Sequence, residues 1–205
     1  GKSLEIYFEP GNQQTVTLKL LAVFSQTPLT PIYQAQVLLK VAAYDNGKFN
    51  IPLLTSVCGF PQEIVVLLLE LLTDSGQLTK TDTSKTTYVF SHKRIERAAL
   101  SLHIPDFDMT PEVLHKMVAE HYLLKGKFNG SIELNQFVEH LLESRELIHK
   151  AMALDSLPNV LQAAQLANDS NSPHTAQQYL DFALAMQEKF QIKVFRFDVL
   201  FGLAK

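Results

Sequence analysis

One four-residue phrase occurs twice in this chain, as Gly47-Lys48-Phe49-Asn50 and again as Gly126-Lys127-Phe128-Asn129. The copies stand 16 and 15 residues after a Thr-Pro step, Thr30-Pro31 and Thr110-Pro111 respectively. Thr followed by Pro is a helix start: the hydroxyl caps free N–H groups, and the fixed φ of proline suits the first helical position. Both copies therefore read as capped helix, glycine-led loop, second helix. An internal repeat constrains architecture more than any single segment does, because it sets the unit that must bury its apolar face. The division it suggests is a β-hairpin at 1–29, a first unit at 30–104 and a second at 105–205. With 205 residues the chain is long enough for one large core or two small ones.

Local patterns fill in the first unit. Residues 4–9 and 15–24 are β-like runs around the turn cluster Pro10-Gly11-Asn12, and Val16, Leu18 and Leu20 alternate with Thr15, Thr17 and Lys19, as in a half-buried strand. A helix from Thr30 to about Ala43 ends at Asp45-Asn46-Gly47, a stop signal. A short extended step at Phe49 and Ile51 leads to a helix at 53–57, the turn Gly59-Phe60-Pro61, and a helix at 61–73 closed by Asp74-Ser75-Gly76. Strands at 77–81 and 86–91 flank Thr81-Asp82-Thr83-Ser84. With Leu53-Leu54-Thr55-Ser56-Val57-Cys58-Gly59-Phe60-Pro61 as the turn region and Gln77 to Ser91 as a β-wing, residues 30–92 resemble the winged helix-turn-helix superfamily in element order. That resemblance implies a scaffold whose third helix and wing are the usual contact elements.

The second half reads as helical: 93–104 as a connector, a Thr110-capped helix to about Leu124, a short strand at Ile132-Glu133-Leu134, and helices at 135–142, 144–154, 157–167 and 173–190. Residues 192–200 return to strand-like composition. No wing is visible here. A degenerate second copy of the first unit is one reading, and chance recurrence of four loop residues is the other. The fold class expected is mainly α with small β elements.

Composition excludes several function classes. Apolar residues make up 46% and charged residues 19% of the chain, a globular balance. The net charge of −3 supplies no global attraction to nucleic acid or anionic membrane, so any basic site must be local. A single cysteine, Cys58, forbids an internal disulfide and a Cys-rich zinc site; it fits an intracellular, cytoplasmic setting. No apolar run reaches the roughly 18 residues a membrane helix needs. A start without Met at Gly1 reads as a segment cut from a longer protein.

Candidate sites are few. Recognition helices present Arg, Lys, Asn or Gln to base edges. The helix at 61–73 has no basic residue, carries Glu63 and Glu70 with Asp74 beyond, and is apolar almost all round, so burial on more than one side is expected and base readout is not. The wing differs: Lys80, Lys85, Lys93, Arg94 and Arg97 fall within 18 residues, opposed by Asp82 and Glu96. Such a patch suits phosphate contact without base reading, and Tyr88 and Phe90 would stack on an unpaired base. The competing reading is a solvated hairpin with its aromatics in the core. The seven histidines show no i, i+4 pair, so no metal or other cofactor is expected. Cys58 sits in a turn where a small packed residue is common. Asp106, Asp108 and Glu112 surround the second helix start, where acids stabilise the dipole. No phosphate-binding glycine loop or nucleotide fingerprint occurs.

These features point to a non-catalytic interaction module. One version is an accessory winged-helix domain of a larger DNA- or RNA-handling protein, touching nucleic acid non-specifically through the wing and a protein partner or its parent chain through apolar helices. The other is a protein–protein module of a multiprotein assembly such as a secretion or scaffold complex.

Overall fold

The computed structural model describes residues 31–45, 48–81, 86–104, 107 and 109–192, together with the backbone of two strands, β1 (Ser3–Ile6) and β2 (Val16–Lys19). These strands pair antiparallel with Leu4 opposite Leu18. The chain divides into two compact units, Gly1–Met109 and Thr110–Lys205, each with its own core. Eight helices and a small three-stranded antiparallel sheet are found among the described residues, so the fold is mainly α with small β elements.

In the first unit α1 (Pro31–Tyr44) buries Ala35, Leu38, Leu39 and Ala42 at i, i+3, i+4, i+7 spacing, the stripe of a core-facing helix. The two-residue strand β3 (Phe49–Asn50) follows, and Asn50 then caps α2 (Ile51–Cys58): its Oδ1 accepts the Leu53 N–H at 2.9 Å. Gly59, at φ +67°, closes α2 in the left-handed conformation, where a Cβ would be strained. The chain bends by 118° into α3 (Gln62–Asp74). A bend of that size over three residues is helix-turn-helix geometry. The strands β4 (Leu78–Lys80) and β5 (Thr87–Phe90) pair antiparallel, and β5 takes the centre of the sheet in the order β3-β5-β4. Helix α4 (Lys93–Leu100) follows and packs on α1. Helix, strand, two helices and a hairpin closed by the first strand make a winged-helix-like layout. Replacing Asn50 by Ala removes the α2 cap. The expected cost is about 1 kcal/mol, read as a melting shift of roughly 2–4 °C for a chain of this size.

The second unit contains α5 (Pro111–Lys125), α6 (Ser131–Glu143), a 3-10 turn at Arg145–Leu147, α7 (Lys150–Asp169) and α8 (Pro173–Phe190). Three expectations are corrected here. Residues 132–134 are not a strand, because Leu134, Phe137, Val138 and Leu141 form one buried helical stripe beginning at Ser131. The helix expected at 144–154 is instead a 3-10 turn followed by the start of α7, which His149 caps by accepting the Met152 N–H on Nδ1 at 3.3 Å. No break separates 154 from 157: α7 runs through Pro158, its buried line Ala153, Leu157, Val160 and Ala164 outweighing the lost backbone bond. Residues 193–200 lie outside the described residues.

The two copies of the repeated phrase adopt different structures. Phe49 lies in a strand opposite Tyr88, whereas Gly126 is the left-handed cap of α5 and Phe128 sits in a loop against Tyr122 and Phe137. No strand follows the second copy among the described residues.

Candidate interaction faces

The basic residues singled out in the sequence fall on two elements. Lys80 ends β4, exposed, with its ammonium 5.7 Å from the centre of the Tyr88 ring. Lys93, Arg94 and Arg97 share the first turns of α4, all exposed, and Lys93 pairs with Glu96 at 2.8 Å. Among the described residues neither Arg94 nor Arg97 joins an ion pair. Lys85 lies outside the described residues.

Tyr88 belongs to the core and must be withdrawn from any base-stacking surface. It is 2% exposed on the central strand, stacked on Phe49 with ring planes 10° apart. Phe49 and Lys80 are its cross-strand neighbours, and a side chain this buried offers no open ring face to a base. Phe90, half-buried, meets the Phe49 ring edge-on at 5.4 Å.

Helix α3 presents the second face. Ile64, Val65, Leu68, Leu69 and Leu72 are buried, while Glu63, Glu70 and Asp74 are exposed and Val66, Leu67 and Leu71 half-buried. The helix is thus covered along one broad stripe and open along the other. Gln62, Glu63, Val66, Leu67 and Glu70 line a shallow cleft there. The helix contains no Lys or Arg, and among the described residues none of its carboxylates joins an ion pair.

The remaining candidates have structural explanations. The Cys58 thiol is desolvated although the residue as a whole is half-buried, and this pushes it well above its ordinary range, away from nucleophilic reactivity. Thr110 Oγ1 accepts the Val113 N–H at 3.4 Å, and the Thr110 hydroxyl is the chief cause holding the Glu112 carboxyl below its ordinary range. Asp106 and Asp108 lie outside the described residues. His92 caps α4 by accepting the Arg94 N–H at 3.0 Å. No group of three or more His, Cys, Asp or Glu that could hold a metal ion is present among the described residues.

One contact has no local sequence signal. His115 on α5 and His140 on α6 meet Nδ1 to Nδ1 at 2.8 Å, so one ring donates the proton and the other accepts. Twenty-five residues separate them, and only the α5–α6 packing brings them together. Desolvation first, then the neighbouring His140, lowers the His115 pKa; Glu143 and Glu112 oppose the shift. A histidine depressed in the folded state takes its proton more readily when unfolded. This contribution is complete above the ordinary value of 6.5 and is lost as pH falls from there through the folded value. Urea midpoints measured from about pH 8 to pH 5 are expected to decline on the acid side, and His115→Gln to flatten that decline.

Comparison with family models, curated proteins and solved structures returns no match. The class defined by the fold itself is a mainly helical protein with a winged-helix-like layout. No single helix among the described residues is long and apolar enough to cross a membrane.

Proposed function

We propose that this chain is a non-catalytic interaction module whose winged-helix-like unit docks a protein through the open face of α3. The observation that carries this is the character of that face: carboxylates flank an apolar cleft on the helix that, in DNA-binding members of the superfamily, would enter a groove. Phosphates would meet Glu63, Glu70 and Asp74 with like charge, and no side chain of α3 offers the Arg or Lys contacts of base readout. A half-buried apolar strip rimmed by exposed carboxylates suits a docking surface.

Affinity purification of the tagged chain tests this. Val66→Asp/Leu67→Asp is expected to lose a bound protein that the wild type retains, while circular dichroism still shows a folded chain. Retention of the same protein by the double variant would contradict α3 docking.

A second reading is favoured by the exposed Arg94 and Arg97, which join no ion pair among the described residues. With Lys80 they would give weak, sequence-independent phosphate contacts, as in an accessory domain of a nucleic-acid-handling protein. Oligonucleotide binding that weakens steeply with salt and falls with Arg94→Glu/Arg97→Glu would support it; the docking reading expects neither.

A further inference from the structure

The geometry of the α3 face also indicates its occupant. Glu63, Val66, Leu67, Glu70 and Asp74 follow i, i+3, i+4, i+7 and i+11, so they form one stripe along the helix. It extends about 16 Å at the helical rise, three turns of a partner helix laid alongside. The apolar pair is central and half-buried, and the carboxylates bracket it at both ends. All the charge is of one sign, and no ion pair within the described residues neutralises it. A single-sign rim around an apolar centre steers complementary partners and rejects like-charged ones. Among the described residues the lining of this shallow cleft comes from α3, and a stripe running along a helix suits an elongated partner better than an enclosed small molecule.

Resting on the docking role above, we propose that this face binds a basic amphipathic helix of a partner protein. Leu- or Ile-type side chains of that helix sit over Val66 and Leu67, and its Lys or Arg residues meet Glu63, Glu70 and Asp74. This is helix-in-groove recognition with the charge on the rim.

The probe is a fluorescein-labelled synthetic helix, longer than about 15 residues so that it can fold, with Leu at i, i+3, i+4, i+7 and Lys or Arg flanking. Its controls are a scrambled peptide of the same composition and the same helix carrying Glu for Lys and Arg. Anisotropy with the full chain is expected to show binding of the basic helix only, weakened by salt. Glu63→Lys/Glu70→Lys is expected to raise Kd at least about tenfold, equivalent to 1.4 kcal/mol. The exposed pair Asp155→Lys/Glu188→Lys in the second unit is expected to leave Kd unchanged. Should the lysine variant misfold, Glu63→Gln/Glu70→Gln keeps the shape and serves in its place. Equal binding of the scrambled peptide, or a Kd indifferent to the α3 substitutions, overturns the proposal. A protein captured in cells through Leu67 that survives the charge reversal would overturn the basic helix while leaving the docking role intact. Failure of both capture and peptide binding would remove both.

Discussion

Phe137→Ala is expected to cost the second unit about 3–5 kcal/mol, the range for deleting a fully buried aromatic. Phe137 is 0% exposed on α6 and meets Phe128 at 5.1 Å and Tyr122 at 6.4 Å between ring centres. It thus holds the α5–α6 loop, as well as the helix pair, against the core. Truncation to Ala leaves a cavity where three rings converged, and rigid helical backbones close only part of it. Phe137→Leu, which refills most of the volume, is expected to cost less than about 1.5 kcal/mol. Urea denaturation followed by circular dichroism measures both. A loss below about 1 kcal/mol for the Ala variant would mean that this cluster is not the centre of the unit's packing.

Tyr88→Ala should be comparably damaging in the first unit, again by about 3–5 kcal/mol. The side chain lies on the central strand, stacked on Phe49 and beneath the Lys80 ammonium. Removing it undoes contacts with both neighbouring strands, β3 and β4, of the sheet formed by the described residues. A surface stacking platform would behave in the opposite way: stability would change by no more than about 0.5 kcal/mol, and affinity for single-stranded nucleic acid would fall by about 1–3 kcal/mol. The same variant, melted and titrated with an oligonucleotide, separates the two. A stable protein with weakened oligonucleotide binding would restore Tyr88 to the surface.

The first unit was readable because its signals are local. Pro31 at the start of α1, the Gly59-Phe60-Pro61 turn and the Asp74-Ser75-Gly76 stop each act within one turn of their own position, and the apolar runs between them have lengths suited to a single element. The second unit was less readable where packing overrides local preference. Ile132-Glu133-Leu134 alternates like a strand over three residues, but the stripe through Leu141 has the helical period and buries more. A break is expected between 154 and 157, yet α7 continues through Pro158 because its apolar line packs on α8. For the sites, charge was legible and direction was not. The acidic character of α3 is plain in the sequence, but which of its apolar residues face outward depends on the whole unit. Tyr88 offered alternation as its only clue, and alternation does not say which face is inside. The His115–His140 contact spans 25 residues between two helices, so it awaited their packing.

A photo-reactive amino acid in place of Leu67, with a matched control at exposed Asp155 in the second unit, tests the central claim most directly when irradiated in cells. The α3 docking role requires a discrete protein adduct from position 67, absent from position 155 and diminished by Val66→Asp in the same chain. Adducts to nucleic acid at position 67, or no adduct there beyond the control, would contradict it.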